Sequence, residues 1–143
     1  MTTPQRHNHK RSGFTLLELL VVLIIIGLLA GIVGPNLFKH VGQSEVTTAK
    51  AQMDMLGKAL DAYRLDVGQY PSTNQGLAAL TQAPADAQRW HGPYLKKAAP
   101  LDPWGNAYVY RQPGADMHDY EIISLGKDGA TGGTEENADL VSW

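Results

Sequence analysis

The apolar pattern divides the chain into two unlike parts. From Phe14 to Val33 almost every position is aliphatic: Phe14-Thr-Leu-Leu-Glu18, then Leu19-Leu-Val-Val-Leu-Ile-Ile-Ile-Gly27-Leu-Leu-Ala-Gly31-Ile-Val33, with Glu18 the one ionisable side chain. About 20 such residues suffice for a helix to span a bilayer. From Val46 the pattern changes, and Val46, Ala49, Met53, Leu56, Leu60, Tyr63 and Val67 recur in alternating steps of three and four. Lys50, Asp54, Lys58 and Asp61 fall off that stripe. This is one amphipathic helix with a single face to bury, packed on the chain's own sheet. Lys50, Asp54 and Lys58, four apart, support one another on the exposed side. Between the two segments, Gly34-Pro35 removes an amide and sets the Pro ring against the carbonyl four residues back, so a kink or local opening is expected. A helix continuous from about Thr15 to Leu65 is roughly 75 Å long at 1.5 Å per residue. Its first half would then need cover from lipid or from other copies of the chain.

Beyond the helix, Gly68-Gln-Tyr-Pro71 is a stop, and Asn74 to Leu80 suits a short helical turn before Pro84. The region to Ala99 reads as irregular. Asp102-Pro-Trp-Gly-Asn106 is a turn, with Pro at a preset φ and Gly-Asn tolerant of positive φ. Ala107–Arg111 and Asp119–Ser124 alternate as two short strands joined around Pro113-Gly114, an antiparallel hairpin suited to cover the helix stripe. From Leu125 to Trp143 the chain is Gly-rich and acidic. The fold class is α+β: a long N-terminal helix, its first half membrane-embedded, packed on a small antiparallel C-terminal sheet.

Length and charge narrow this further. With 143 residues and no internal repeat, there is room for one membrane segment and one domain of roughly 100 residues. Arg6, Lys10 and Arg11 precede the apolar run, which places the N-terminus in the cytoplasm and exports the rest. Loss of Met1–Gly13 would remove those three cations and no acid, taking the formal charge from −2 to −5. An acidic exported surface excludes nucleic acid as a partner. Cysteine is absent, so the disulfide staple common in small exported domains is not available. His7 and His9 lie in the leader, while His40, His91 and His118 are scattered without catalytic or metal-ligand spacing. No Gly-x-Ser-x-Gly or phosphate loop is present, so an enzyme is not expected. Trp90, Trp104 and Trp143 read as core or interface anchors.

A carboxylate in hydrocarbon is costly unless paired, so Glu18 is a functional residue whose partner must be named. Thr15-Leu-Leu-Glu18 also matches a capping box, in which Thr and Glu satisfy free amides at a helix start; both roles are compatible. An ordinary secretory signal would instead be cut near Leu29-Ala30-Gly31, after an apolar run longer than a usual h-region. Lys10-Arg11-Ser12-Gly13 followed by Phe14-Thr-Leu-Leu-Glu18 resembles the processing site of the type IV pilin superfamily. The resemblance implies cleavage between Gly13 and Phe14 by a prepilin peptidase, N-methylation of Phe14, and pairing of Glu18 with the terminal amine of an adjacent subunit. It also implies loss of helix in the filament between Gly27 and Pro35. Gly27-x-x-x-Gly31 adds a small-residue ridge that permits close helix approach. The organisation expected is a cleaved cytoplasmic leader (1–13), a transmembrane and filament-core helix (14–34), and a periplasmic globular domain (35–143).

Read by composition, the C-terminal segment is either a solvated turn or a loop of hard oxygens such as calcium accepts, though its spacing is not that of an EF-hand. Tyr70-Pro71, Asn74-Gln-Gly-Leu77, Asp102-Pro-Trp-Gly-Asn106 with Tyr108 and Tyr110, and Ser124-Leu-Gly-x-Asp128-Gly with Ala138-Asp139 are together similar to the major pseudopilins of type II secretion systems. That resemblance implies calcium held by the Leu125 backbone carbonyl, Asp128 and Asp139; Asn137 and a carbonyl near Ala130 remain open as further ligands. It implies a single-pass inner-membrane protein with its domain in the periplasm, forming a homopolymer. Minor pseudopilins, a prepilin peptidase, and an inner-membrane platform with its ATPase are the implied partners. Two other functions fit parts of the chain. A surface type IV pilin is disfavoured by the missing C-terminal cysteine pair, and a monomeric membrane-tethered calcium-binding protein by Glu18.

Overall fold

The structure, a computed structural model, describes residues 13–143; the leader cations Arg6, Lys10 and Arg11, with His7 and His9, lie outside the described residues. The chain forms two compact units, Met1–Lys39 and His40–Trp143. Helix α1 (Leu16–Val67) supplies the described part of the first and the opening element of the second.

In the first unit every apolar side chain from Leu16 to Val33 is exposed, and the helix is long and apolar enough to cross a membrane. Pro35 lies inside α1, which runs unbroken through Gly27 and Gly34. The local opening expected at Gly34-Pro35 is therefore not seen in the single chain: one missing amide is outweighed by the hydrogen-bonded turns on either side. Loss of helix between Gly27 and Pro35 in a filament concerns another state of the protein.

In the second unit the apolar stripe is the buried face of α1. Ala49, Met53, Leu56, Leu60 and Tyr63 are buried, Val46 and Val67 half-buried, and Lys50, Asp54, Lys58 and Asp61 exposed. Lys58 pairs with Asp54 at 2.7 Å across one turn of that exposed face. Gly68 ends the helix with φ +95°, donating its amide to the Arg64 carbonyl at 2.8 Å. That left-handed conformation suits glycine, which has no Cβ to clash. A 3₁₀ turn, Gly76–Leu80, follows where a helical turn is expected, and it buries Ala79 and Leu80.

The sheet is antiparallel in the order β1 (Val109–Arg111), β2 (Glu121–Ser124), β3 (Leu140–Val141). The expected hairpin is present, with Val109 opposite Ile123 and Arg111 opposite Glu121. Strand β3 is an addition: the chain after Leu125 carries no strand period, yet Leu140 pairs with Ser124 and Val141 with Ile123. Met53, Leu56, Leu60 and Tyr63 pack with Leu80, Tyr108, Tyr110 and Ile122 in one core. Trp90 caps it, its indole N–H donating to the Ala79 carbonyl at 2.8 Å and its ring edge-on to Tyr94. Trp104 is a half-buried anchor bonded to Glu45 at 2.9 Å, whereas Trp143 is exposed and stacked on His118.

Core tyrosines give the domain an alkaline limit. Burial, reinforced by the charge of Asp102, pushes the Tyr108 hydroxyl up to about 12, and burial with Asp61 nearby does the same for Tyr120. Tyr110 is raised further, mainly by burial. These phenols stay neutral in the folded chain while unfolded ones titrate near 10, so their contribution is complete below pH 10 and lost as pH rises through about 12. The melting temperature should fall across that window with phenolate absorbance appearing only on unfolding; phenolate formation well before unfolding would contradict this packing.

Candidate functional site

Two regions carry the candidate chemistry. At the N-terminal end, the Thr15 amide donates to Glu18 Oε2 at 2.9 Å and the Glu18 amide donates to Thr15 Oγ1 at 3.2 Å. This is the reciprocal capping box expected from Thr15-Leu-Leu-Glu18. Glu18 is an exposed carboxylate among exposed aliphatic side chains, close in sequence to Gly13 and Phe14, which are themselves exposed. The cap satisfies amides of the helix start, and among the described residues no cation pairs with the Glu18 carboxylate.

The second region is the loop from Leu125 to Asp139. Asp128 Oδ1 accepts the Ala130 amide at 3.1 Å, and Asp139 Oδ2 accepts the Gly132 amide at 3.0 Å, closing the loop on itself. The other oxygen, Asp139 Oδ1, is buried and has no hydrogen-bond partner among the described residues. A buried carboxylate oxygen that no protein donor reaches is chemically suited to a cation or a further donor. Gly126 has φ +67°, and a Cβ there would stand 2.8 Å from the Asn137 carbonyl carbon. Glycine thus lets the start of the loop lie directly on the segment that leads into Asp139.

Among the described residues no three His, Cys, Asp or Glu side chains gather as a metal set, and Asp128 and Asp139 are held by separate local bonds. Two carboxylates alone do not enclose a cation. A site here needs backbone carbonyls, and such an all-oxygen donor set fits a hard ion. Glu135 and Asn137 are exposed; Glu136 is half-buried, bonded to Lys127 at 2.8 Å, and lies where a Cβ on Gly42 of α1 would collide with its carboxylate.

Residues 36–143 match the family model described as type II secretion system protein G, and residues 8–34 match the prokaryotic N-terminal methylation motif. The chain belongs to the type II secretion system protein G family. It is 42% identical to the type II secretion system core protein G of Pseudomonas aeruginosa, over 94% of this chain and 96% of that one. The core protein G of Escherichia coli K12 is also 42% identical, over 96% and 94%. The crystal structure of the major pseudopilin from the type 2 secretion system of enterohaemorrhagic Escherichia coli superposes with a TM-score of 0.66. That match has 34% identity and covers 76% of this chain and 95% of that one. The expected pilin-like α+β fold and the major-pseudopilin family are therefore established.

In this pseudopilin, a buried polar network beneath the loop was not foreseen. Asp102 and Ser124 are buried and joined at 2.6 Å, and Asn106 reaches the Gly126 carbonyl at 2.8 Å. The turn Asp102–Asn106 is legible by itself, but its partners lie about twenty residues on, and only the sheet register brings them together.

Proposed function

We propose that this pseudopilin is held in the inner membrane by Phe14–Val33, freed of its leader between Gly13 and Phe14, and added to a periplasmic filament. Growth of that filament helps drive folded proteins through an outer-membrane channel. The observation that carries this reading is the helix of exposed aliphatic residues with one carboxylate, Glu18, four residues after the processing position. Lipid covers such a helix before assembly, and the helices of other copies cover it afterwards. On entry, Glu18 pairs with the methylated Phe14 amine of a neighbouring subunit, and the segment between Gly27 and Pro35 loosens. Energy comes from elsewhere: a prepilin peptidase, an inner-membrane platform with its ATPase, and minor pseudopilins are the partners. The periplasmic domain has no catalytic role.

The loop is proposed to hold calcium through the Leu125 carbonyl, Asp128 and Asp139. The unpartnered Asp139 Oδ1 and the all-oxygen character of the loop support this fit. Calcium, when bound, supplies positive charge that offsets Asp128, Glu135, Glu136 and Asp139, and stands in for the disulfide that this cysteine-free domain cannot form.

Intact mass and N-terminal sequencing of the protein from its native membrane test the assembly reading. The expected chain starts at Phe14 and carries one added methyl. A start near Ile32 would mean a conventional secretory signal, and an uncut Met1 a plain membrane tether; either removes the basis of the filament proposal.

A further inference from the structure

The turn Asp102–Asn106 supplies no residue to processing, assembly or the proposed ligand set, yet its polar groups end on the first residues of the loop. Asp102 is 4% exposed. Its Oδ1 accepts the amides of Trp104 at 3.1 Å and Asn106 at 2.7 Å, while Oδ2 accepts the Ser124 hydroxyl at 2.6 Å. Ser124 is fully buried, and its Oγ in turn accepts the Gly126 amide at a long 3.4 Å. Asn106 donates Nδ2 to the Gly126 carbonyl at 2.8 Å.

These bonds hold two consecutive peptide planes. The Leu125 carbonyl and the Gly126 amide belong to one planar unit and point in opposite directions, so tying the amide to Ser124 sets where the carbonyl aims. The next unit contains the Gly126 carbonyl and the Lys127 amide. Asn106 holds the first, and the Glu136 carbonyl accepts the second at 2.9 Å. A plane fixed at both ends cannot rotate, and it restrains its neighbour across Gly126. On its other side Asn106 is confined by the turn after Asp128, for a Cβ on Gly129 would stand 3.1 Å from Asn106 Oδ1. The same side chain thus touches the loop on either side of Lys127 and Asp128.

We propose that Asp102, Asn106 and Ser124 are positioning residues of the cation site, fixing the direction of the Leu125 carbonyl and the spacing from Leu125 to Asp128 before the ion arrives. This rests on the calcium reading of the loop. Loop ligands that are not held must be ordered by the ion itself, which weakens binding, and loss of an outer-shell partner typically lowers metal affinity 10–100-fold. Asn106 is the informative position, because it is half-buried and its own backbone bond to Asp102 survives side-chain truncation.

The test is calorimetric titration of CaCl2 into the full mature chain in detergent micelles, for wild type, Asn106→Ala and Ser124→Ala, with melting recorded in calcium and in chelator. The expected result is wild-type binding, a dissociation constant raised at least about tenfold in Asn106→Ala, and a smaller melting gain on adding calcium. Unchanged affinity, with melting lowered equally in calcium and in chelator, would show that the network only supports the fold and would overturn the proposal. Absence of calcium binding by wild type would instead overturn the calcium reading beneath it. Should Ser124→Ala fail to fold, Asn106→Ala decides alone, with Asp102→Asn as a shape-preserving second variant expected to weaken binding in the same sense.

Discussion

Glu18→Ala should leave the protein inserted, cleaved and methylated but reduce sheared filament and secretion of folded cargo to background. In lipid, the aliphatic surface from Leu16 to Val33 needs nothing from Glu18, so membrane insertion is indifferent to its loss or slightly favoured by it. In a filament the situation reverses. On the proposed processing, each newly cleaved Phe14 would bring a cationic amine into an apolar helix bundle, and a buried cation without a counter-charge is strongly unfavourable. The defect recurs at every subunit added, which is why a single side chain is expected to abolish polymer rather than shorten it.

The reciprocal bonds between Thr15 and Glu18 offer a competing account in which Glu18 only starts the helix. Glu18→Gln separates the two. Glutamine serves in a capping box as glutamate does, so it preserves the cap and removes only the charge. Loss of filament with both variants identifies charge pairing as the requirement. Filament formation by Glu18→Gln, with failure confined to Glu18→Ala, would reduce Glu18 to a cap. Normal assembly by both would show that neither the charge nor the cap of Glu18 is needed and would overturn the pairing with the Phe14 amine.

Legibility in the sequence followed the range of the interaction. The stripe Val46 to Val67 forecast the buried face of α1 because a helix period depends only on local spacing, and the Thr15–Glu18 cap spans three residues. Strand β3 was not legible: two residues, Leu140 and Val141, have no period of their own and become a strand only because β2 offers an edge. Pairing with β1 along the other side of β2 explains Glu121, a buried carboxylate that alternation alone leaves ambiguous. It sits opposite Arg111, which reaches it at 3.4 Å. The Asp102–Ser124 bond depends on the same register, since pairing Val109 with Ile123 runs the preceding turn alongside Ser124–Gly126. Similarly, composition marked the loop as acidic, but only the folded chain leaves one oxygen of Asp139 buried without a partner.

On the proposed calcium site, Asp128→Ala should remove most of the stabilisation that the ion would confer and little else. A ligand that binds only the folded state at a free concentration of 100 times its dissociation constant stabilises by about 2.7 kcal/mol. For a domain of this size that is roughly 10–20 °C of melting temperature. Wild type should therefore melt well below its calcium-loaded temperature once chelated, and Asp128→Ala should melt near the chelated wild type under both conditions. The metal-free chain loses only the exposed bond from the Ala130 amide to Asp128, and Asp128→Asn keeps an acceptor there while still lacking the charge that calcium requires. Among the described residues no donor reaches the buried Asp139 Oδ1, so a bound calcium would give that oxygen a counter-charge the chain does not supply. Equal melting shifts for Asp128→Ala with and without chelator would show that the residue acts through the loop's own hydrogen bonds, and the acidic loop would then be a solvated turn.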